Sequence, residues 1–361
     1  MRQRRSIFRW AILTIAATLV ATACSAAATT APTKAPTAAT QAPTTAASPK
    51  ASPLPGTKVF SVAFTNPGIS GSVFLAALDV LRSQGYTIDT PKIESSELVV
   101  QGVAGGQFAF GSSANNAVLA AVEKGANIRL VVTYVNNEWT LYALNSIKSC
   151  ADLAGKKLAI HSEGAVSTAM VKNYVSTKCP GTQPKYVVIP GSENRVQALL
   201  ANQIDASPVE LGDAVTLDLK ASDRYHLLSN FAGDLPNLQA TSDYVNGAWA
   251  KANPGSVVAV VSAVLEQFRK VAGNPAYLRS ITEKFAPEAV VKETIDAATK
   301  KYVDLKMFPV NGGLTEENLA YTAKFFGPKP DGIGTTTRLM PVSEFADLSY
   351  LKLALEALGT K

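Results

Sequence analysis

VQGVAGGQFAFGS at Val100–Ser112 and VQALLANQIDASP at Val196–Pro208 share Val, Gln and a second Gln at the same offsets. Gly106 and Asn202 fall together in them, at a point where helices commonly end in the left-handed backbone geometry that glycine, and less easily asparagine, adopts. Each segment reads as a helix end, a tight turn and a short strand. Two lobes of similar construction are the simplest account. Chance likeness between two helix-to-strand joins is the alternative.

Outward from these joins the chain alternates short apolar runs with amphipathic ones. In the first half, KVFSVAFT reads as a buried strand and SVFLAALDVLRSQG as a helix. Val73, Phe74, Ala77, Leu78 and Leu81 form that helix's apolar stripe and Gly85 its stop. YTIDTPKIE is a strand, SSELVVQGVAGG a helix, QFAFGS a strand, ANNAVLAAVEKG a helix and NIRLVVTYV a strand. The grammar restarts after Ser146: DLAGKKLAIHSEG gives a turn and strand, AVSTAMVKNYVSTKC a helix, PKYVVIPG a strand, SENRVQALLANQ a helix and IDASPVE a strand with its exit loop. Such a βαβ succession predicts mainly parallel sheets covered on both faces.

The N-terminus sets the compartment. Arg2, Arg4, Arg5 and Arg9 precede an apolar run from Trp10 to Ala23 that ends in Ala21-Thr22-Ala23-Cys24. About fourteen apolar residues are too few to span a bilayer, so residues 1–23 read as a secretory signal. Cys24 after small residues resembles a bacterial lipobox, with Ala21 where Leu is commonest, and is expected to carry lipid. An ordinary signal-peptidase site that leaves Cys24 as an odd thiol is the alternative. Residues 24–57, rich in Ala, Thr, Pro and Ser, cannot bury a core and read as a tether that holds a domain off a membrane surface.

Removing residues 1–23 takes four Arg and no acid from a formal charge of +6, leaving 6 − 4 = +2. That is no nucleic-acid footprint. With Cys24 assigned to the anchor, Cys150 and Cys179 remain as a pair in an oxidising compartment and are expected to form a disulfide. Two cysteines with only His161 and His226 offer no metal-ligand spacing, and no metal or other cofactor is expected.

IKSCADLAGKKLAIHSEG, RVQALLANQIDASPVE, NPGSVVAVVSAVLEQF and FADLSYLKLAL together resemble the nitrate/sulfonate/taurine-type solute-binding proteins of ABC transporters, a family that includes receptors for thiamine-pyrimidine precursors. The likeness covers nearly all of Lys58 to Leu358. Asn202 in place of the usual Gly, and Ala109 in place of the usual acid, are small departures. The resemblance implies an α/β, type II periplasmic-binding fold of two lobes with a ligand cleft between them. Residues 58–140 and 238–361 would form a discontinuous first lobe and 141–237 the second, with crossovers near Asn136–Leu144 and Ser229–Ala240. It also implies a monomeric receptor outside the cytoplasm, at the cell surface or in the periplasm, working with an ABC permease and its ATPase.

In such folds ligands lie beyond the carboxyl ends of the strands. Four exit loops qualify: Asn66–Ser72, Gly111–Asn115, Ser162–Thr168 and Ser207–Glu210. Each loop taken alone reads equally as an ordinary helix cap. The candidate ligand residues are Asn66, Ser70, Gly71, Ser112, Ser113, Glu163, Ser167, Thr168 and Glu210, joined by Asn137 and Trp139 at the first crossover. Trp139 is open to either ligand stacking or hinge packing. Glu163 and Glu210 would offset the attraction of helix N-termini for a bare anion, which favours a ligand bearing a donor or amine group, such as a zwitterion or heterocycle, over nitrate.

No Gly-x-Ser-x-Gly elbow or phosphate-binding Gly-Lys-Ser/Thr loop occurs. The pyrimidine-synthesising branch of the same fold relies on a His and a Cys-rich stretch, and this chain has no Cys cluster. No catalytic residues are therefore expected. A ligand-sensing surface protein of the same fold remains an alternative to the importer's receptor.

Overall fold

A computed structural model describes residues 53–65 and 67–361. Cys24, the signal segment, the tether through residue 52 and Asn66 lie outside the described residues.

Ten strands form two five-stranded sheets. They are β1 (Val59–Phe64), β2 (Thr87–Asp89), β3 (Phe110–Ala114), β4 (Ile128–Val135), β5 (Thr140–Leu144), β6 (Lys157–Ile160), β7 (Lys185–Val188), β8 (Ala206–Val209), β9 (Tyr225–Ser229) and β10 (Thr241–Asn246). The orders are β2-β1-β3-β10-β4 and β7-β6-β8-β5-β9. The two sheets correspond strand for strand, and the helices between them likewise: α1 (Ile69–Ser83), α2 (Ser96–Ala104) and α3 (Asn115–Glu123) in the first half, α4 (Val166–Lys178), α5 (Ser192–Leu200) and α6 (Leu211–Lys220) in the second.

The sheets are mixed rather than simply parallel. β10 runs antiparallel to both β3 and β4, and β5 antiparallel to both β8 and β9. In each sheet the reversed strand is the first one after the chain has passed over from the other sheet. A strand entering from the far lobe arrives at the end where the parallel strands finish, so it must run back against them. The sequence grammar carried no sign of this, because β5 follows β4 with no helix between them and β10 follows β9 across a single short helical turn.

Local sequence explains the rest of the elements. On α1 the expected stripe Val73, Phe74, Ala77, Leu78 and Leu81 is buried, each side chain contributing on the order of 1.5–3 kcal/mol by leaving water, less for Ala77. Gly106 and Asn202 adopt φ of 75° and 57°, so the echoed turns share their left-handed residue. The long helix Pro254–Val271 begins on its proline, whose missing N–H costs nothing there, and packs against α1. Cys150 and Cys179 are bonded, with their Cα atoms 5.8 Å apart; the bridge ties the end of α4 to the turn that opens the second sheet.

Besides the two passages of chain, a third connection joins the sheets. Helix Ile295–Asp304 packs both on helix Pro275–Phe285, which lies against α1, and on α6 of the second half. There the Thr216 and Thr294 hydroxyls are hydrogen-bonded at 2.9 Å and Lys220 pairs with Glu293 at 2.7 Å. Among the described residues no helix is long and apolar enough to cross a membrane.

Candidate functional site

Strand exits from both sheets converge on a cavity of about 70 Å³. Ser70, Ser112 and Ser113 reach it from the first sheet, Ser167 and Glu210 from the second, and Glu138 and Trp139 from the passage between β4 and β5. All four exit loops contribute to the wall, and the exit of β7 adds Gly191–Glu193. The lobes are closed on each other at its rim. Glu97, in the first turn of α2, accepts hydrogen bonds from the Gly164 amide at 2.7 Å and from the Ser162 hydroxyl at 3.2 Å. Asn116 donates to the Gly164 carbonyl at 2.7 Å.

The hydroxyls facing the cavity are not equal. Ser113 is committed to the Tyr244 hydroxyl at 2.6 Å. Ser167 Oγ and Thr241 Oγ1, on opposite walls, are buried with no partner, while Ser112 Oγ has the Asp243 carboxyl beside it. Hydroxyls in that condition cost on the order of 1–3 kcal/mol each unless something in the cavity satisfies them. The first turn of α4 adds to this demand. Its cap residue, Ala165, supplies no side-chain acceptor, so the first backbone N–H groups point outward unsatisfied by the helix itself.

Carboxyl groups dominate the charge. Glu138 is buried and held at both oxygens: Ser70 Oγ donates to Oε1 at 3.0 Å and the Tyr302 hydroxyl donates to Oε2. Burial pushes its pKa up to about 7 despite those two donors, with Asp213 nearby adding to the rise. Glu210 caps the start of α6, its backbone N–H donating to Ser192 Oγ at 2.9 Å. Its side chain lies against the start of α1, where a methyl group on Gly68 would collide with Oε2. Burial raises the Glu210 carboxyl well above its usual range, and the neighbouring Glu138, Asp213 and Glu193 raise it further, with Arg195 pulling the other way. Asp213, in the first turn of α6, is pushed up to about 6, mainly by burial.

Arg195 is the buried cation of this region. Its Nε donates to Ser207 Oγ and the Pro208 carbonyl, and its Nη1 to the Ile189 and Gly191 carbonyls, all between 2.9 and 3.2 Å. Nη2 has no partner. The guanidinium lies 5.8 Å from the Trp139 ring centroid, a cation–π distance. Burial lowers its pKa only to about 10, so it stays charged at neutral pH. His161 borders the same wall, and burial with Arg195 beside it brings its pKa down to about 4.

Several candidates sit elsewhere. Gly71 is packing: a side chain there would strike the Tyr134 hydroxyl and come within 2.7 Å of Pro67 Cβ. Asn137 faces a separate cavity of about 600 Å³ behind the crossover. Its amide donates to the Phe231 carbonyl at 2.9 Å, which clasps the two crossing segments together. Glu163 is paired with Lys172 on an exposed rim. Thr168 is buried behind Ser167 and its hydroxyl is without a partner. Sequence reasoning passed over Arg195, Asp213 and Tyr302. It also passed over Asp243 in β10, fully buried across from Ser112, with neither oxygen hydrogen-bonded in good geometry and its pKa raised well above normal by burial. For neither Asp243 nor Arg195 was there a signal, because TSDYVN carries no strand pattern and SENRVQALL reads as an ordinary amphipathic helix.

No curated protein sequence matches the chain. A solved structure from Bordetella bronchiseptica RB50 is 17% identical and superposes with a TM-score of 0.69, covering 84% of this chain and 99% of its own. The periplasmic nitrate-binding protein NrtA from Synechocystis PCC 6803 is 13% identical with a TM-score of 0.64, over 85% of this chain and 91% of its own. The alkanesulfonate-binding protein SsuA from Xanthomonas axonopodis pv. citri, bound to MOPS, is 15% identical with a TM-score of 0.59, over 74% and 91%. The shared feature is the fold, the two-lobed α/β type II periplasmic-binding architecture. A family model described as NMT1/THI5 like matches residues 82–277, more than half of the chain, and the chain belongs to that family.

Proposed function

We propose that this chain is the extracytoplasmic solute-binding lipoprotein of an ABC importer. It captures a small organic molecule between its lobes by hinge closure, makes and breaks no bond in it, and presents the closed form to a permease and its ATPase. Cys24 would hold the protein to the membrane and residues 24–57 would give it reach. Residues 58–140 with 238–361, and residues 141–237, would be the moving bodies. The observation that carries the reading is the cavity between the sheets, with unpartnered buried hydroxyls of Thr241 and Ser167 on opposite walls. The sulfonate- and nitrate-binding neighbours of the same fold support it.

The test is a thermal-shift screen of the purified protein against sulfonates, pyrimidines, flavins and amines. A ligand at about one hundred times its Kd should stabilise the fold by about 2.7 kcal/mol, and mass spectrometry should recover it unaltered. A ligand returned chemically changed overturns the reading in favour of an enzyme.

A further inference from the structure

Resting on the solute-binding reading, we propose that Glu138 and Glu210 together form the subsite for an ammonium group, that the solute is a compact organic amine, and that its capture releases a proton from this pair to solvent. The exchange balances: the ammonium enters with its charge, one carboxylic acid of the pair becomes carboxylate, and the displaced proton leaves as the cleft fills. No bond within the solute changes.

Three observations lead there. The first is the balance of charge about the cavity, where the buried Glu138 and the half-buried Glu210 and Asp213 stand against Arg195 as the buried cation. Four of the hydrogen bonds of that guanidinium are already spent on Ser207 and backbone carbonyls. A bare anion would add negative charge to this cluster in a desolvated place, whereas an ammonium brings three donors and a compensating charge. The second is that Ser167 Oγ and Thr241 Oγ1 stay unpartnered on the same cavity, beside the uncapped start of α4. They suit a hydroxyl or carboxylate at the solute's other end. The third is size. About 70 Å³ is roughly half the volume of an engineered protein cavity that takes benzene, so a solute on the order of three to six non-hydrogen atoms fits the closed cleft.

The surrounding titratable groups leave the exchange to the carboxyls. Tyr134 on β4 and the Tyr302 phenol are pushed well up by burial and keep their protons, and burial pushes the Asp243 carboxyl on β10 well above its usual range. His161, at about 4, stays neutral and Arg195, at about 10, stays charged. Glu138, at about 7, and Asp213, at about 6, change across the neutral range, and burial raises the Glu210 carboxyl beside Glu138 in the same direction. An amine that is protonated throughout that range needs the carboxylate form, so affinity rises with pH, by up to about tenfold per pH unit for one proton exchanged.

Calorimetric titration of the purified protein in phosphate buffer tests this with ethanolamine, glycine and β-alanine against ethylene glycol, acetate and propionate, the same skeletons without nitrogen. Expected is binding of at least one amine, none of its deaminated counterpart, and a Kd that falls about tenfold from about pH 6 to about pH 7. Glu210→Gln should weaken that amine at least about tenfold, and both Glu210→Gln and Glu138→Gln should flatten the pH dependence while keeping the wild-type circular dichroism spectrum. Amines that bind no better than their deaminated partners, or with no pH dependence, overturn the inference. Tight binding of methanesulfonate or uracil in their place overturns the ammonium subsite and leaves the solute-binding reading standing. A screen in which nothing moves the melting temperature removes both.

Discussion

Glu138 offers a prediction that needs no ligand. Its carboxyl has an ordinary value of 4.5 and is raised by burial to about 7 in the folded protein. At about 1.36 kcal/mol per pH unit, that step makes its ionisation cost roughly 3 kcal/mol more in the native state than in the unfolded chain. The folded state therefore holds this proton longer than the unfolded one. The associated stability is fully present below the unfolded value and is lost as pH rises from about 4.5 to about 7. Glu210 and Asp213, shifted in the same direction, steepen the loss. Glu138→Gln removes the titration and keeps one oxygen to accept from Ser70 or Tyr302. Urea unfolding of both proteins from about pH 5 to about pH 8 should show the variant gaining roughly 2 to 3 kcal/mol on the wild type across that range. The change in the gap is the observable, since the lost second acceptor shifts the whole variant curve by a constant. Curves that stay parallel would mean that Glu138 ionises normally and that water reaches it freely.

Other consequences can be checked alongside. Cys24→Ser should move the protein from the membrane fraction to the soluble one, read by fractionation and by the mass of the N-terminal peptide. Opening the Cys150–Cys179 bridge, which spans 29 positions, should cost about 3 to 4 kcal/mol in the chain-entropy account and lower the melting temperature without reducing agent in Cys150→Ser/Cys179→Ser. Glu97→Ala removes the acceptor that clasps Gly164 and Ser162; it should shift the lobes toward an open form by about 1 to 3 kcal/mol, seen as a larger radius of gyration in solution scattering. Ser167→Ala should weaken the solute about fivefold to a hundredfold and leave the melting temperature of the free protein unchanged or higher, because its hydroxyl has no partner to lose.

Most helices and strands up to Val209 were legible because each is a local pattern: an apolar stripe such as Val73–Leu81, or a left-handed stop such as Gly106 or Asn202. β10 was not. Its sequence TSDYVN has no alternation, and it is a strand only because β3 and β4 hold it from both sides. The exit loops could be picked out because a close approach to backbone selects Gly, Ser and Thr. Which member of a loop faces the cavity could not. Gly71 differs from Ser70 by one position and by about a hundred degrees around the helix, enough to turn it toward Tyr134. The carboxyl cluster was hidden for another reason: Glu138, Glu210, Asp213 and Tyr302 come from three separate elements that only tertiary packing brings together.

The reversed strand β10 has a bearing on how the protein is made. β4 touches its sheet only through β10, and about a hundred residues separate Val135 from Thr241. A ribosome takes on the order of 5 to 20 s to cover that distance. Throughout it the apolar run IRLVVTYV has no partner on either edge, the state in which a strand recruits other chains. β5 to β9, by contrast, are contiguous in the chain and can pair as they emerge. The second lobe can thus complete its sheet before the first, although the first begins earlier, and the first sheet stays open until Asn246 has appeared.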